Sequence, residues 1–226
     1  MDINTEKIER AQALYDHPNL TFCLSTTDQV PIEDDNVDAI ISFDVFEHVA
    51  HPEKILAECY RILRPGGQML IGTWGWYHPF APHLWSTMPV PWAHVLFSER
   101  TMLRVCRRVY NAPWYVPNMH DLDANGQKIP YKFQREEIPL SYVNKLLIRD
   151  FERIFEQSKF GYSIHLPFGS LYARWTKMFL YMPWIREFIT SFFWAVVAKE
   201  PAIGVSRNET AAVQSDDTMA DLLKHA

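Results

Sequence analysis

The chain has 226 residues, 48% of them apolar, which is enough for one domain of roughly 150–200 residues with its own core, plus a tail. A formal net charge of −5 argues against a surface built to neutralise phosphates, so nucleic acid is not an expected partner. Three widely spaced cysteines, Cys23, Cys59 and Cys106, make neither a disulfide framework nor a zinc cluster and fit reduced thiols in a cytoplasmic protein. The polar start MDINTEKIER is no signal peptide, and no apolar run is long enough to mark a membrane span.

Periodicity predicts a helix over residues 4–15, with Thr5, Glu6 and Glu9 suiting its positive end. A short apolar strand follows over 20–24, then a polar loop over 25–36. Val37 to Phe43, VDAIISF, is nearly continuous in apolar character, as a strand covered on both faces should be. A helix is expected over 53–63, closed by Pro65-Gly66-Gly67, and a buried strand over 68–73. Residues 74–142 change character, being rich in Trp, Pro, His and Tyr; a helix is expected over 98–109 and a hairpin at Asn125-Gly126. Further on, the pattern predicts a helix over 142–158, a strand over 161–166, an aromatic helix over 171–190 and a strand over 192–198. Residues 201–226 have no periodic apolar face and are expected to be a disordered tail. Alternating strands and helices point to a doubly wound sheet, whose ligands sit at the carboxyl ends of the strands. The loops after residues 24, 43 and 73 therefore matter most.

Residues 37–73 place Asp38, Glu47-His48-Val49 and Arg61-x-Leu63-x-Pro65-Gly66-Gly67 around two strands and a helix. In this order and separation they resemble the central part of class I S-adenosylmethionine-dependent methyltransferases. The resemblance reaches back to Asp2 and more weakly forward to about residue 201. It implies an α/β fold: a doubly wound, Rossmann-like methyltransferase sheet with an aromatic-rich insertion after the third remaining strand. Residues 1–200 would be a partial methyltransferase domain, with 74–142 as its acceptor-side insertion. The family's glycine-rich turn would lie before Asp2, where only Met1 stands. The expectation is that the first two strands are missing, Met1 being an internal methionine read as a start or the gene being truncated.

The resemblance also implies cofactor residues for S-adenosyl-L-methionine. Asp2-Ile3 matches the acidic position that accepts hydrogen bonds from both ribose hydroxyls, a task suited to an acceptor-only carboxylate. The adenine position usually held by Asp is Thr26 here, with Thr27 and Asp28 beside it. Phe43, Asp44 and His48 would flank the methionine end. Asp44, Glu47 and His48 also resemble the Glu-x-x-Glu-His triplet that holds a divalent metal in ubiquinone-pathway O-methyltransferases. The simpler reading is that Glu47 and His48 orient their turn, so no metal is expected.

Methyl transfer needs in-line positioning and exclusion of water, and a base only where the acceptor must lose a proton. His78, His83 and His94 are the candidates for that base, since they follow the strand where acceptor pockets form. Trp74, Trp76, Tyr77, Trp85 and Trp92 suit either the wall of an acceptor pocket or the core of the insertion. Residues 171–194 suit a packed helix and strand, or peripheral contact with a membrane. The favoured function is methyl transfer to a small-molecule or lipid-like acceptor. The rival is a catalytically inactive remnant or interaction module, and a dimer is left open. A nucleotide-dependent reductase is disfavoured by the absence of a Tyr-x-x-x-Lys pair.

Overall fold

In the computed structural model the described residues are 1–26, 29–123, 125–133, 136–166, 182–190 and 192–200. Helix α1 (Thr5–Leu14) begins where the Asn4 side chain accepts from the Lys7 N–H at 3.1 Å, and it buries only Ile8. Strand β1 (Val37–Phe43) and strand β2 (Leu63–Thr73) run parallel, joined by α2 (Pro52–Ile62). Pro52 opens α2 because its missing N–H would be unpaired there anyway, and Leu56, Cys59 and Ile62 form its buried face. In the second half lie α3 (Ala93–Leu96), α4 (Glu99–Tyr110), α5 (Ile148–Gln157), β3 (Gly161–His165), α6 (Pro183–Ile189) and β4 (Phe193–Ala198).

The sheet order is β1-β2-β4-β3. The α/β class and the β1–α2–β2 crossover agree with expectation, but β4 runs antiparallel to both β2 and β3, so the sheet is mixed. Residues 20–24 form no strand; a single parallel bridge joins Asp2 to Leu24. The aromatic insertion therefore follows the second strand of the sheet.

β1 is not covered on both faces. Its register puts Ile40 beside Met69 and Ser42 beside Ile71, in line with Val197 and Ala195. That face meets α2 and α5, whose Leu56, Phe151 and Phe155 complete the main core. Ile41 and Phe43 point the other way and are 70% and 42% exposed. Apolar composition alone cannot report this, because a run of apolar residues looks the same with one face covered or two.

The expected helix over 142–158 starts only at Ile148. Lys145 sits at φ +58, a left-handed conformation that a helix cannot continue through. The buried Glu187 carboxylate, reaching across from α6, then accepts from the Ile148 and Arg149 N–H groups at 2.8 and 3.0 Å, satisfying donors that a helix start leaves open.

Residues 84–143 contribute a second core cluster: Met102, Leu103, Cys106 and Tyr110 of α4 against Tyr131, Phe133 and Ile138. The expected hairpin is present as a bridge between Leu122 and Lys128, with Gly126 at φ +73. Glu99 ties this unit to the rest through Lys145 Nζ at 2.6 Å, and within the unit it accepts from the Ile138 N–H at 2.8 Å. Cys59 and Cys106 are buried free thiols, and burial pushes Cys59 up to about 12. No helix among the described residues is long and apolar enough to cross a membrane. The expectations for 171–181 and for the tail 201–226 lie outside the described residues.

Candidate functional site

Three of the loops singled out by the sheet rule carry the candidate residues. At the first, the Asp2–Leu24 bridge (Asp2 N–H to the Cys23 carbonyl, Ser25 N–H to the Asp2 carbonyl) brings the backbone of Asp2 beside that of Ser25. Asp2 Oδ1 accepts from the Asn4 N–H at 2.9 Å, and Oδ2 lies 3.7 Å from Lys7 Nζ. A carboxylate has about four lone-pair sites, so acceptor capacity is left for two hydroxyl donors. Ile3 is exposed. Thr26 Oγ1 accepts from the Gln29 N–H at 2.9 Å; Thr27 and Asp28 lie outside the described residues.

Arg61, read in the sequence only as part of a motif, is the strut of this loop. Its guanidinium donates to the Val30 and Ile32 carbonyls at 3.0 and 2.9 Å and to Asp34 at 2.6 Å, and pairs with Glu58 on its own helix. Glu58 in turn accepts from the Val30 N–H at 2.9 Å. Arginine suits the role because its fork of donors reaches several acceptors at once.

At the second loop β1 ends in Phe43, packed edge-on against Trp194 at 4.9 Å, and in Asp44 at φ +53, whose N–H donates to the Gly72 carbonyl. The left-handed turn at Asp44 leads into a 3-10 turn over Phe46–His48. Glu47 is buried, 2% exposed, and its Oε2 accepts from Thr73 Oγ1 at 2.6 Å. Burial pushes the Glu47 carboxyl above its ordinary value, against the Thr73 hydroxyl, which favours the ionised form. His48 Nδ1 donates to the Tyr142 carbonyl. Asn144 holds the turn from the other side, donating from Nδ2 to the Phe46 and Val49 carbonyls at 2.6 and 3.0 Å and from its N–H to the Glu47 carbonyl at 2.8 Å.

The three histidines after β2 occupy different surroundings. His78 stacks on Trp74 at 4.9 Å, and its Nδ1 accepts from the Phe80 N–H. His83 sits 4.8 Å from the His48 ring and 5.1 Å from Trp74. His94 pairs through Nε2 with the Trp76 carbonyl at 2.7 Å and packs on the Trp76 ring, a positioning role within the insertion. Burial holds all three below the ordinary histidine range, His78 and His83 at about 4. They are therefore neutral near pH 7, as a proton acceptor must be. His83 alone of the three borders a cavity of about 390 Å³, which is also lined by Tyr110, Asp121, Tyr131, Lys132 and Tyr142. Of the tryptophans, Trp85 lines it as well. Trp92 instead donates its Nε1–H to the Tyr77 carbonyl at 2.9 Å and braces the insertion.

Histidine burial sets a pH dependence. A folded-state value near 4 for His78, against 6.5 unfolded, means that its stability contribution is whole above pH 6.5 and is lost as pH falls toward 4. Glu47 and Glu187 act oppositely: both are raised above 4.5, chiefly by burial, so their contribution is present at low pH and lost as pH rises through the raised values. In chelator-treated protein, His78→Asn is expected to flatten the fall in melting temperature between pH 6.5 and 4.5. The reduction in slope is at most about 1.4 kcal/mol per pH unit, less for screening at a ring that partly meets solvent. Identical pH slopes in the two proteins would show that His78 is not held down.

Residues 1–71 match the family model described as a methyltransferase domain. That segment is similar to a methyltransferase domain. A probable S-adenosylmethionine-dependent methyltransferase of Mycolicibacterium smegmatis is 30% identical over 73 residues, which are 32% of this chain and 28% of the relative. Phthiotriol/phenolphthiotriol dimycocerosates methyltransferase 1 of Mycobacterium ulcerans is 31% identical over 70 residues, 31% of this chain and 26% of the relative. The chain spans less than a third of the length of either relative. A solved S-adenosylmethionine-dependent methyltransferase from Mesorhizobium loti aligns with 87% of this chain and 77% of its own at 12% identity, with a TM-score of 0.46. The methyltransferase segment takes in Asp2, Thr26, Phe43, Asp44 and His48, whereas His78, His83 and His94 fall beyond it.

Sequence reasoning missed Tyr142, Asn144 and the pairing of His83 with His48. Asn144 lies 98 residues from Phe46, and nothing in the local pattern around Ser141–Lys145 announces a contact at that range.

Proposed function

We propose that the protein transfers the methyl group of S-adenosyl-L-methionine to a small-molecule or lipid-like acceptor. The observation that carries this reading is the methyltransferase segment over residues 1–71 followed by an aromatic-lined cavity in the insertion after β2. The Asp2 carboxylate holds the ribose, the turn at Thr26 braced by Arg61 holds the adenine, and Phe43 and Asp44 meet the methionine end. The acceptor enters among Tyr131, Lys132, Tyr142 and His83. Aromatic walls from Trp85, Tyr110, Tyr131 and Tyr142, with polar groups among them, suit a flat or lipid-like acceptor.

Calorimetric titration of the full chain with S-adenosylhomocysteine tests the cofactor half. Saturable binding is expected, weakened about a hundredfold in Asp2→Ala, since two hydrogen bonds to a charged group contribute about 3 kcal/mol. A folded chain that takes up no ligand would favour the inactive remnant instead. Binding indifferent to Asp2→Ala would remove Asp2 from the site.

A further inference from the structure

Glu47, His48 and His83 each present one ligand atom, and these atoms lie within 4.8 Å of one another. Two of the three side chains have polar atoms that the described residues leave without a hydrogen-bond partner. Glu47 Oε1 is buried and unpaired although Oε2 is bonded to Thr73, and His83 Nε2 is buried and unpaired likewise. A carboxylate oxygen withdrawn from water and given no donor is costly, by a few kcal/mol in protein mutational terms. The third residue is already prepared as a ligand. Because His48 Nδ1–H donates to the Tyr142 carbonyl, its lone pair is on Nε2, the arrangement in which an outer hydrogen bond orients a metal-bound imidazole. Asn144 fixes the turn that carries both Glu47 and His48. Asp44, the third member of the sequence triplet, is exposed and does not belong to this group; His83, from the other side of β2, does.

We infer that Glu47, His48 and His83 form a binding site for a borderline divalent cation such as zinc. Two imidazole nitrogens and one carboxylate oxygen are the donor set that such ions prefer over calcium or magnesium, which favour oxygen alone. Bonds of about 2.0–2.2 Å in a tetrahedral arrangement put the ligand atoms about 3.4 Å apart, so the three atoms draw together by up to about 1.4 Å on binding. Three protein ligands leave a coordination position open, and His83 borders the cavity, so a fourth ligand enters from that side. The site stands on its own donors and does not depend on cofactor binding.

The test is zinc titration of the chelator-stripped full chain by calorimetry, with cobalt absorption as a reading of coordination geometry. One equivalent should bind. Affinity should fall by about tenfold or more in Glu47→Gln and in His83→Phe. The first keeps an oxygen for Thr73, and the second keeps a ring against His48 and Trp74. Asp44→Asn and His51→Gln, the latter removing an exposed histidine next to Glu53, should bind as the parent does. Melting curves identify any variant that fails to fold, and the other ligand variant then decides. The inference is overturned if no stoichiometric binding occurs, if both ligand variants bind unchanged, or if Asp44→Asn abolishes binding as strongly as they do.

Discussion

Phe151→Ala is expected to lower the stability of the fold by about 3–5 kcal/mol, the range for removing a fully enclosed aromatic ring. Phe151 has no exposed surface. It stands on α5 where that helix crosses β4, with its ring 5.4 Å from Phe193 and 6.4 Å from Phe155. These three rings, with Leu56 and Met69, join α2, α5 and the sheet into one core. A cavity opened at that junction is bounded by side chains from two helices and the sheet, all packed in one core, so it closes only in part. Domains of this size are stable by about 5–15 kcal/mol, so the loss is a large share of the total. Urea unfolding followed by far-ultraviolet dichroism measures it as a lower midpoint at an unchanged slope. Trp114→Ala, which removes a larger ring that is 70% exposed, is the control and should move stability by no more than about 0.5 kcal/mol. A loss below about 1 kcal/mol at Phe151 would mean that α5 does not pack on this sheet face.

The same core shows which parts of the structure the sequence could disclose. Elements with a local signature were legible: α1 from its periodicity and the acidic residues near its start, α2 from its apolar face and the Pro65-Gly66-Gly67 after it, and β4 from FFWAVVA. What failed involved partners distant in the chain. Residues 20–24 have strand composition, yet a strand exists only by pairing, and Leu24 pairs with Asp2 alone. VDAIISF reads as doubly covered, but coverage belongs to whatever packs on each face, and only the Ile40–Ser42 side meets helices. The start of α5 was misplaced because Glu187, 39 residues further on, decides where its first N–H groups are satisfied. The candidate site divides in the same way. Glu47-His48 and Asp2 were visible because they recur in a known order. His83 looked no different from His78 or His94, since its distinction is the His48 ring 4.8 Å away and the cavity at its side.

Asn144 holds the turn that carries Glu47 and His48, and its substitution is the other change expected to be severe. Asn144→Ala removes donors from the Phe46 and Val49 carbonyls and an acceptor from the Leu146 N–H. Leaving buried backbone groups unpaired costs about 1–3 kcal/mol each, so a total loss of about 2–4 kcal/mol is expected, allowing for entry of water at the more open Val49 end. A cavity explanation is separated by Asn144→Asp, which keeps the volume and replaces the amide donor by an acceptor-only carboxylate. Two carbonyls would then face a negative charge, so Asn144→Asp should be at least as destabilising as Asn144→Ala at pH 7. The Asp variant should recover part of its stability as pH falls and the carboxyl regains a proton to donate. Denaturant midpoints of the two variants at pH 7 and pH 5 measure this. An Asp variant as stable as the parent at pH 7 would show that the side chain does not donate to the 46–49 turn, and Glu47 and His48 would then owe their placement to Thr73, Tyr142 and the Asn144 backbone N–H.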